Sequence, residues 1–456
     1  MTSRLRHFLS ALALIGGLAA FGFAQDRFGE IDGTVSDSTG AVIPNATVTI
    51  KGNAFNRTVQ ANARGYYRVL AVPPGNYSVV AGADGFGSST ETTATVTLGE
   101  STPVNFTLQP AATSAQVTVT GDVAAIDTTS SRVQDNITTQ RFEEIPKGTN
   151  FTSVLQTASG VQSESKGAGI QIEGSSGAEN TFIVDGQEVT NFRTGQLNSN
   201  NNLPFSLVEE VQVKKGGFEA EHGGATGGVI TLVTKRGGNE FNGDFSMSFQ
   251  SSKLDGPSGL VDPTNVTTLS NTENRNIPQR TILNPDPNTL TYFQAGRDFE
   301  EDRYTNFYPS GSLSGPIIKD KLWFFGAYNL QSFISKRNVQ HPNGPLEEYT
   351  RNERRDYGFV RLDSQLGSNL NLTGSYTYNP ITVHGDLAPI TPLAGTPPTN
   401  GPLTGAAFLD QTGGRRSSNT YNFGGTWAND KVIVSARYGE SALNERLGSY
   451  GIPAGI

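Results

Sequence analysis

From Phe241 onward the chain is written in long runs that alternate apolar with polar residues, and aromatics crowd the apolar positions. "EFNGDFSMSF" sets Phe241, Phe245, Met247 and Phe249 on one side of an extended strand, and "LNLTGSYTYN" does the same with Leu370, Leu372, Gly374, Tyr376 and Tyr378. "NTYNFGGTW" aligns Tyr421, Phe423, Gly425 and Trp427, and "KVIVSARY" aligns Val432, Val434, Ala436 and Tyr438. Successive strand side chains point to opposite faces, so each run carries one greasy and one polar face. Further strands are expected near 307–318, 322–333, 356–366, 370–379, 418–428 and 431–441. Their connections alternate in length: "KDK", "GSN" and "ND" are tight, whereas 251–306, 334–355 and 380–417 are long and polar.

A soluble sandwich has no reason to sort its connections in this way. An outer-membrane β-barrel does, because its periplasmic turns are short, its outer loops are long, and its apolar face meets lipid. The start of the chain agrees with export. Arg4 and Arg6 precede an apolar run from Phe8 to Ala20, and "GFA" before Gln25 supplies small residues, so a signal peptide is expected over 1–24. No later stretch is apolar enough for a spanning helix, which leaves a barrel as the way across a membrane. The chain has 456 residues, a net charge of −8 and no cysteine. The acidic balance argues against a nucleic-acid partner, and a disulfide frame is impossible.

Residues 25–110 read as a small β-sandwich. "GTVSDSTG" is a strand and turn, and Ala46, Val48 and Ile50 share a face of the next strand; "GYYRV" and "PPGNYSV" repeat the pattern. These motifs, closed by "GF", resemble the carboxypeptidase regulatory-like, transthyretin-type domain. A zinc peptidase would need His and Glu three apart with a second His. The histidines are His7, His222, His341 and His384, and none has Glu three residues on. The resemblance therefore implies a fold without catalysis, and neither a catalytic residue, a cofactor nor a metal site is expected. His222 lies beside Glu221 without a second His nearby.

Residues 111–238 hold short helical pieces, among them one that Asn150 is expected to cap, with Phe151, Val154, Leu155 and Ala158 on one side. Asp185-Gly186 is expected at a hairpin tip, and Val211 and Val213 on one face of a strand. The stretch "KKGGFEAEHGGATGGVITLVTKRGG" is dense in glycine. It lacks the Lys-Ser/Thr of a Walker loop, and a β-branched strand follows it instead of a helix, so it has no anion-binding terminus. Close packing of bare backbone is the better reading. "IQIEG", "FIVDGQEV", "LVEEVQVKKGG" and "GGVITLVTK" occur in an order that resembles the plug domain of TonB-dependent outer-membrane receptors. Gly174, Asp185, Gly186, Glu210, Val211, Gly216, Gly223, Gly227 and Gly228 are the plug positions carried by that resemblance. The family usually has Arg where Glu173 stands, which puts any pairing made by that Arg in doubt. The preceding sandwich narrows the likeness to the Oar-like branch.

The resemblance implies a mainly β chain: signal peptide, small β-sandwich, α+β plug, then an antiparallel transmembrane β-barrel over 239–456 with about seven strands present. Barrels in this family have 22 strands around their plug, so an N-terminal fragment of a longer receptor is expected. The resemblance also implies a TonB box, an extended segment that adds as a strand to the inner-membrane partner TonB. Gln116, Val117, Thr118, Val119, Thr120, Gly121 and Asp122 form the candidate. Function is expected as an outer-membrane transporter in contact with lipid, with the N-terminal domains in the periplasm. Its extracellular substrate is left open between siderophore, glycan and peptide. The competing expectation is a surface adhesion or matrix-binding protein without transport.

Overall fold

A computed structural model describes residues 28–111, 133–144, 148, 150–164, 169–191, 196–197, 201–217, 222, 225–254, 302–340, 346–387, 399–400, 403–429 and 431–447. The signal-peptide region and the candidate TonB box lie outside the described residues. The protein is mainly β, and no helix among the described residues is long and apolar enough to cross a membrane.

The sandwich contains β1 (Gly29–Asp37), β2 (Thr47–Gly52), β3 (Phe55–Gln60), β4 (Tyr66–Val72), β5 (Gly75–Gly82), β6 (Thr92–Val96), β7 (Ser101–Pro103) and β8 (Phe106–Leu108). One sheet runs β4-β1-β7 with β8 also on β1, and the other runs β3-β2-β5-β6. Alternate residues turn inward along most of these strands, so Ile31, Val35, Val48, Ile50, Val79 and Phe106 form one buried core. Tyr67 is buried with its hydroxyl satisfied, donating to the Val104 carbonyl at 2.6 Å.

The plug follows with β9 (Val133–Thr138), β10 (Val161–Ser163), β11 (Ile170–Ile172), β12 (Thr181–Val184), β13 (Gln187–Glu188), β14 (Thr190–Asn191), β15 (Gln196–Leu197), β16 (Val208–Gly216) and β17 (Val229–Thr234). Its main sheet has the order β13-β12-β17-β16-β9, with β12 and β17 parallel. All six residues of β17 are buried, which accounts for its unbroken β-branched and apolar sequence. The short helix Thr152–Leu155 buries Val154 and Leu155, and Phe151 and Ala158 join them in the core. Asn150 does not cap this helix. Phe151 occupies the cap position with no side-chain bond, and the Asn150 amide oxygen instead accepts from Gln331 Nε2 at 2.7 Å. A partner 181 residues away outcompeted the local cap.

The last sheet is β18 (Asn242–Ser251), β19 (Arg303–Ile318), β20 (Leu322–Gln340), β21 (Leu346–Leu366), β22 (Leu370–His384), β25 (Gly413–Ala428) and β26 (Ile433–Leu447), each antiparallel to the next; β23 (Thr399–Asn400) and β24 (Leu403–Thr404) form a separate small hairpin. Its outer face is apolar and open. Phe245 is 78% exposed, and Phe423, Val434 and Tyr438 are each more than half exposed. Its inner face packs on the plug, so that Phe325, Tyr357 and Phe359 share one buried core with Ile137, Phe182, Val211 and Leu232. An uncovered apolar band of this extent fits lipid and not water. Several strands run longer than their apolar alternation indicated. β20 and β21 stay paired out to Gln340 and Leu346, where Lys336 and Arg303 both meet Glu348 at 2.6 and 2.5 Å. Polar ladders hold these outer extensions after the greasy pattern has ended.

The outer face should therefore penalise charge by depth. Phe423→Arg, inside the apolar band, should cost about 2–4 kcal/mol in denaturant titrations of protein folded into lipid vesicles. Ser417→Arg, near Arg415 beyond that band, should cost about 0–1 kcal/mol.

Candidate functional site: the plug and barrel contact

Asp185 and Gly186 close the β12–β13 hairpin with φ of 48° and 81°. Positive φ at both central residues suits a two-residue turn, and Asp tolerates it better than most side chains do. The parallel pairing of β12 with β17 aligns Val184 with Leu232. This brings the hairpin tip beside Thr234, where β17 ends. There Asp185 accepts from the Thr234 backbone N–H at 3.1 Å and from its hydroxyl at 2.7 Å.

The barrel wall completes the site. Arg361 faces inward from β21, and its Nη1 donates to Asp185 Oδ1 at 3.1 Å, the Thr234 carbonyl at 3.1 Å and the Thr234 hydroxyl at 2.8 Å. Its Nε and Nη2 fork onto Asp363 at 2.8 and 2.9 Å. The side chains of Arg361 and Asp185 are 3% and 4% exposed. The planar guanidinium thus serves two carboxylates and a hydroxyl at once, a task that suits Arg and not Lys. The Thr234 end of the plug sheet is held to the wall by a buried, hydrogen-bonded charge cluster.

The other predicted plug positions are dispersed around this contact. Val211 lies in the common core. Gly227 and Gly228 are packing positions. A Cβ on Gly227 would stand 2.6 Å from Asn180 and Ser175, and one on Gly228 2.6 Å from Ile172. Gly174 has φ of 86° with open space around it, so a turn requires it; Gly216 has open space as well. Gly223 lies outside the described residues. Glu173 also sits at positive φ, 49°, and its side chain fills the space beside Gly160. At the contact described above, the cation comes from the wall, with one carboxylate from the plug and one from the wall.

Glu210 points to the sandwich. It is 1% exposed and accepts from the Leu98 N–H at 3.1 and 3.3 Å. Burial pushes its carboxyl up to about 8; the Leu98 N–H opposes the shift, and the nearby charges of Glu100 and Glu209 add to it.

Sequence reading did not reach Arg361, Asp363, Thr234 or Leu98. A signal existed for two of them. "FVRLD" puts Arg361 and Asp363 on the polar side of a barrel strand, in register with the inward Phe359.

Residues 30–109 match the carboxypeptidase regulatory-like domain, and residues 125–229 match the TonB-dependent receptor plug domain. With the apolar-faced sheet behind them, these matches give the chain the domain order of a TonB-dependent outer-membrane receptor that carries a regulatory-like domain ahead of its plug. The chain is 26% identical over 471 residues to the TonB-dependent transporter Oar of Myxococcus xanthus, across 94% of this chain and 40% of that protein. It is 31% identical over 142 residues to the ferric enterobactin receptor of Pseudomonas aeruginosa, covering 27% of this chain and 19% of that one. Among solved structures, the Q482A mutant of the ferric enterobactin receptor PfeA from Pseudomonas aeruginosa, in complex with enterobactin, aligns with a TM-score of 0.44 and 17% identity, over 68% of this chain and 41% of that chain. The chain thus spans well under two thirds of the length of these relatives.

Removing the guanidinium should loosen the plug. Arg361→Met leaves Asp185 buried without its paired cation and strips Asp363 of its fork, which should destabilise plug docking by about 3–5 kcal/mol. Arg361→Met with Asp185→Asn and Asp363→Asn should recover much of that. Hydrogen exchange of the β17 amides measures both, and equal loss in the two variants would contradict the assignment.

Proposed function

We propose that the protein is an active importer of the outer membrane, in which the plug closes the barrel until TonB pulls on it. The seated plug is the observation that supports this reading. A module held to the wall by a compact polar cluster is closed at rest, and a pull that breaks that cluster would release its defined seat. The outer membrane holds no ATP, so the work has to come from the inner membrane through an extended segment that an inner-membrane partner can grip. Gln116–Asp122 remains the proposed grip, and pairing through main-chain hydrogen bonds would explain its plain sequence. Substrate would be captured at the outer loops and the top of the plug. The ferric enterobactin receptor's similarity covers 27% of this chain, so a ferric siderophore stands beside glycan and peptide as a substrate class to be tested.

Deleting Gln116–Asp122 should abolish uptake of the responsive member of a panel of ferric siderophores, oligosaccharides and peptides while leaving surface display intact. Thr118→Cys should form a disulfide with a cysteine-bearing TonB in cells. Uptake that persists after the deletion, with no cross-link to TonB, would overturn TonB coupling through this segment, and surface binding without uptake of any panel member would favour adhesion over transport.

A further inference from the structure

The sandwich is docked on both sides of the seam between plug and barrel. On the plug side, a single turn residue is held by three side chains. The Leu98 N–H donates to Glu210, and the Leu98 carbonyl accepts from Gln212 Nε2 at 2.7 Å and Asn136 Nδ2 at 3.0 Å. Gln134 Nε2 adds a bond to Glu100 at 3.2 Å. On the barrel side, Gln365 makes a two-way contact with the backbone of Asn56, accepting at 3.1 Å and donating at 2.8 Å. Arg57, 5% exposed, donates to the Ser368 carbonyl at 2.9 Å in the β21–β22 turn. The link between plug and barrel is held as well: the Asn239 N–H donates to the Asn53 carbonyl at 2.9 Å, and a Cβ on Gly238 would collide with the Asn53 side chain at 2.0 Å. Asn239 in turn ties to Asp320 and Trp323 at the β19–β20 turn.

We propose that the N-terminal sandwich is a latch: by gripping the plug sheet and the short-turn end of the barrel at once, it prevents the plug from shifting against the wall until it is released. The grip is specific in kind. Of its bonds to plug and barrel, several use sandwich backbone groups at Leu98, Asn56 and Asn53, so the docking reads the shape of two turns more than their side chains. It is also a polar grip on a buried carboxyl. Releasing the sandwich would return Glu210 to water, where a carboxyl ionises near 4.5. The docked state binds the proton more tightly, so docking is at full strength below that ordinary value and weakens as pH rises towards about 8. Glu100 from the sandwich and Glu209 from the plug strand are the charged groups acting on it, and both favour the protonated form; β9 presents the amides of Gln134 and Asn136.

The test is hydrogen exchange on the full chain in detergent, which does not depend on transport and so fails or succeeds separately from the importer reading. Asn136→Ala with Gln212→Ala should speed β16 and β17 exchange by roughly tenfold or more while β2 and β5 keep their protection. The chain has no cysteine of its own, so Glu100→Cys with Gln134→Cys supplies one defined thiol pair where the native side chains meet, and bridging it with a reducible bis-thiosulfonate cross-linker should restore slow exchange. Unchanged β16 and β17, or no rescue by the cross-link, overturns the latch. If β2 and β5 also lose protection, the cross-link in the otherwise native chain decides: bridging must slow plug exchange, and equal rates with and without the bridge overturn the proposal. After correction for intrinsic rates, native plug opening should rise roughly tenfold or more from about pH 5 to about pH 8, and Glu210→Gln should flatten that rise. An equally steep rise in Glu210→Gln removes Glu210 from the device.

Discussion

A guanidinium enclosed between a plug hairpin and a barrel wall is the constraint on which the arrangement turns. Arg361 brings its N–H donors into a buried site, where Nε, Nη1 and Nη2 each donate to Asp185, Thr234 or Asp363. Such a cluster is a poor source of net stability, because desolvating the charges costs nearly as much as pairing them returns. Its value is positional. Moving the hairpin away from Thr234, or sliding the plug along the wall, leaves a buried charge without a partner. Apolar packing between plug and wall, in the core that Phe359 and Leu232 share, tolerates small slips far better. The charge cluster thus selects one seat for the plug among many greasy ones.

The sheet around it was legible in the chain because its rule is local. Period-two alternation and the sorting of turns and loops depend on neighbours a few residues apart, and Phe245, Phe423 and Tyr438 do lie on the exposed apolar face. The Asp-Gly turn was legible for the same reason. Arg361 was not, since its partner on the plug is 176 residues away and no period links them. Asn150 failed as a cap on the same ground: its amide was claimed by Gln331 on the wall. The strand ends were blurred because charged ladders continue the pairing past the membrane pattern, as Arg337 does with Asp302 at 2.6 Å.

The glycine-rich stretch shows how local chemistry can be read correctly in kind and still leave the neighbour unnamed. The stretch lacks the lysine pattern of a Walker loop, and at Gly227 and Gly228 bare backbone is what the space demands. Which surfaces come close could be learned only from the fold: Ile172 and Asn180 of the plug itself at Gly228 and Gly227, and the Phe324 carbonyl of the wall at Gly237. The last of these places the plug's exit against β20, so the link to the first barrel strand leaves the plug along the wall.

Plug seat and sandwich dock are also not independent. β16 and β17 pair so that Glu210 lies opposite Val233, one residue from the Thr234 that Arg361 holds. The carboxyl that meets the sandwich and the hydroxyl that meets the wall are therefore carried by adjacent rungs of one ladder. The register slips by one residue at that point, between Val208 and Glu210. A bulge is where a ladder bends most readily, so a displacement that frees Leu98 from Glu210 acts on the rung that positions Thr234. If the sandwich acts as the proposed latch, the two polar contacts form opposite ends of one short lever, through which the hydrogen bonds that keep the sandwich docked would help to keep Asp185 on Arg361.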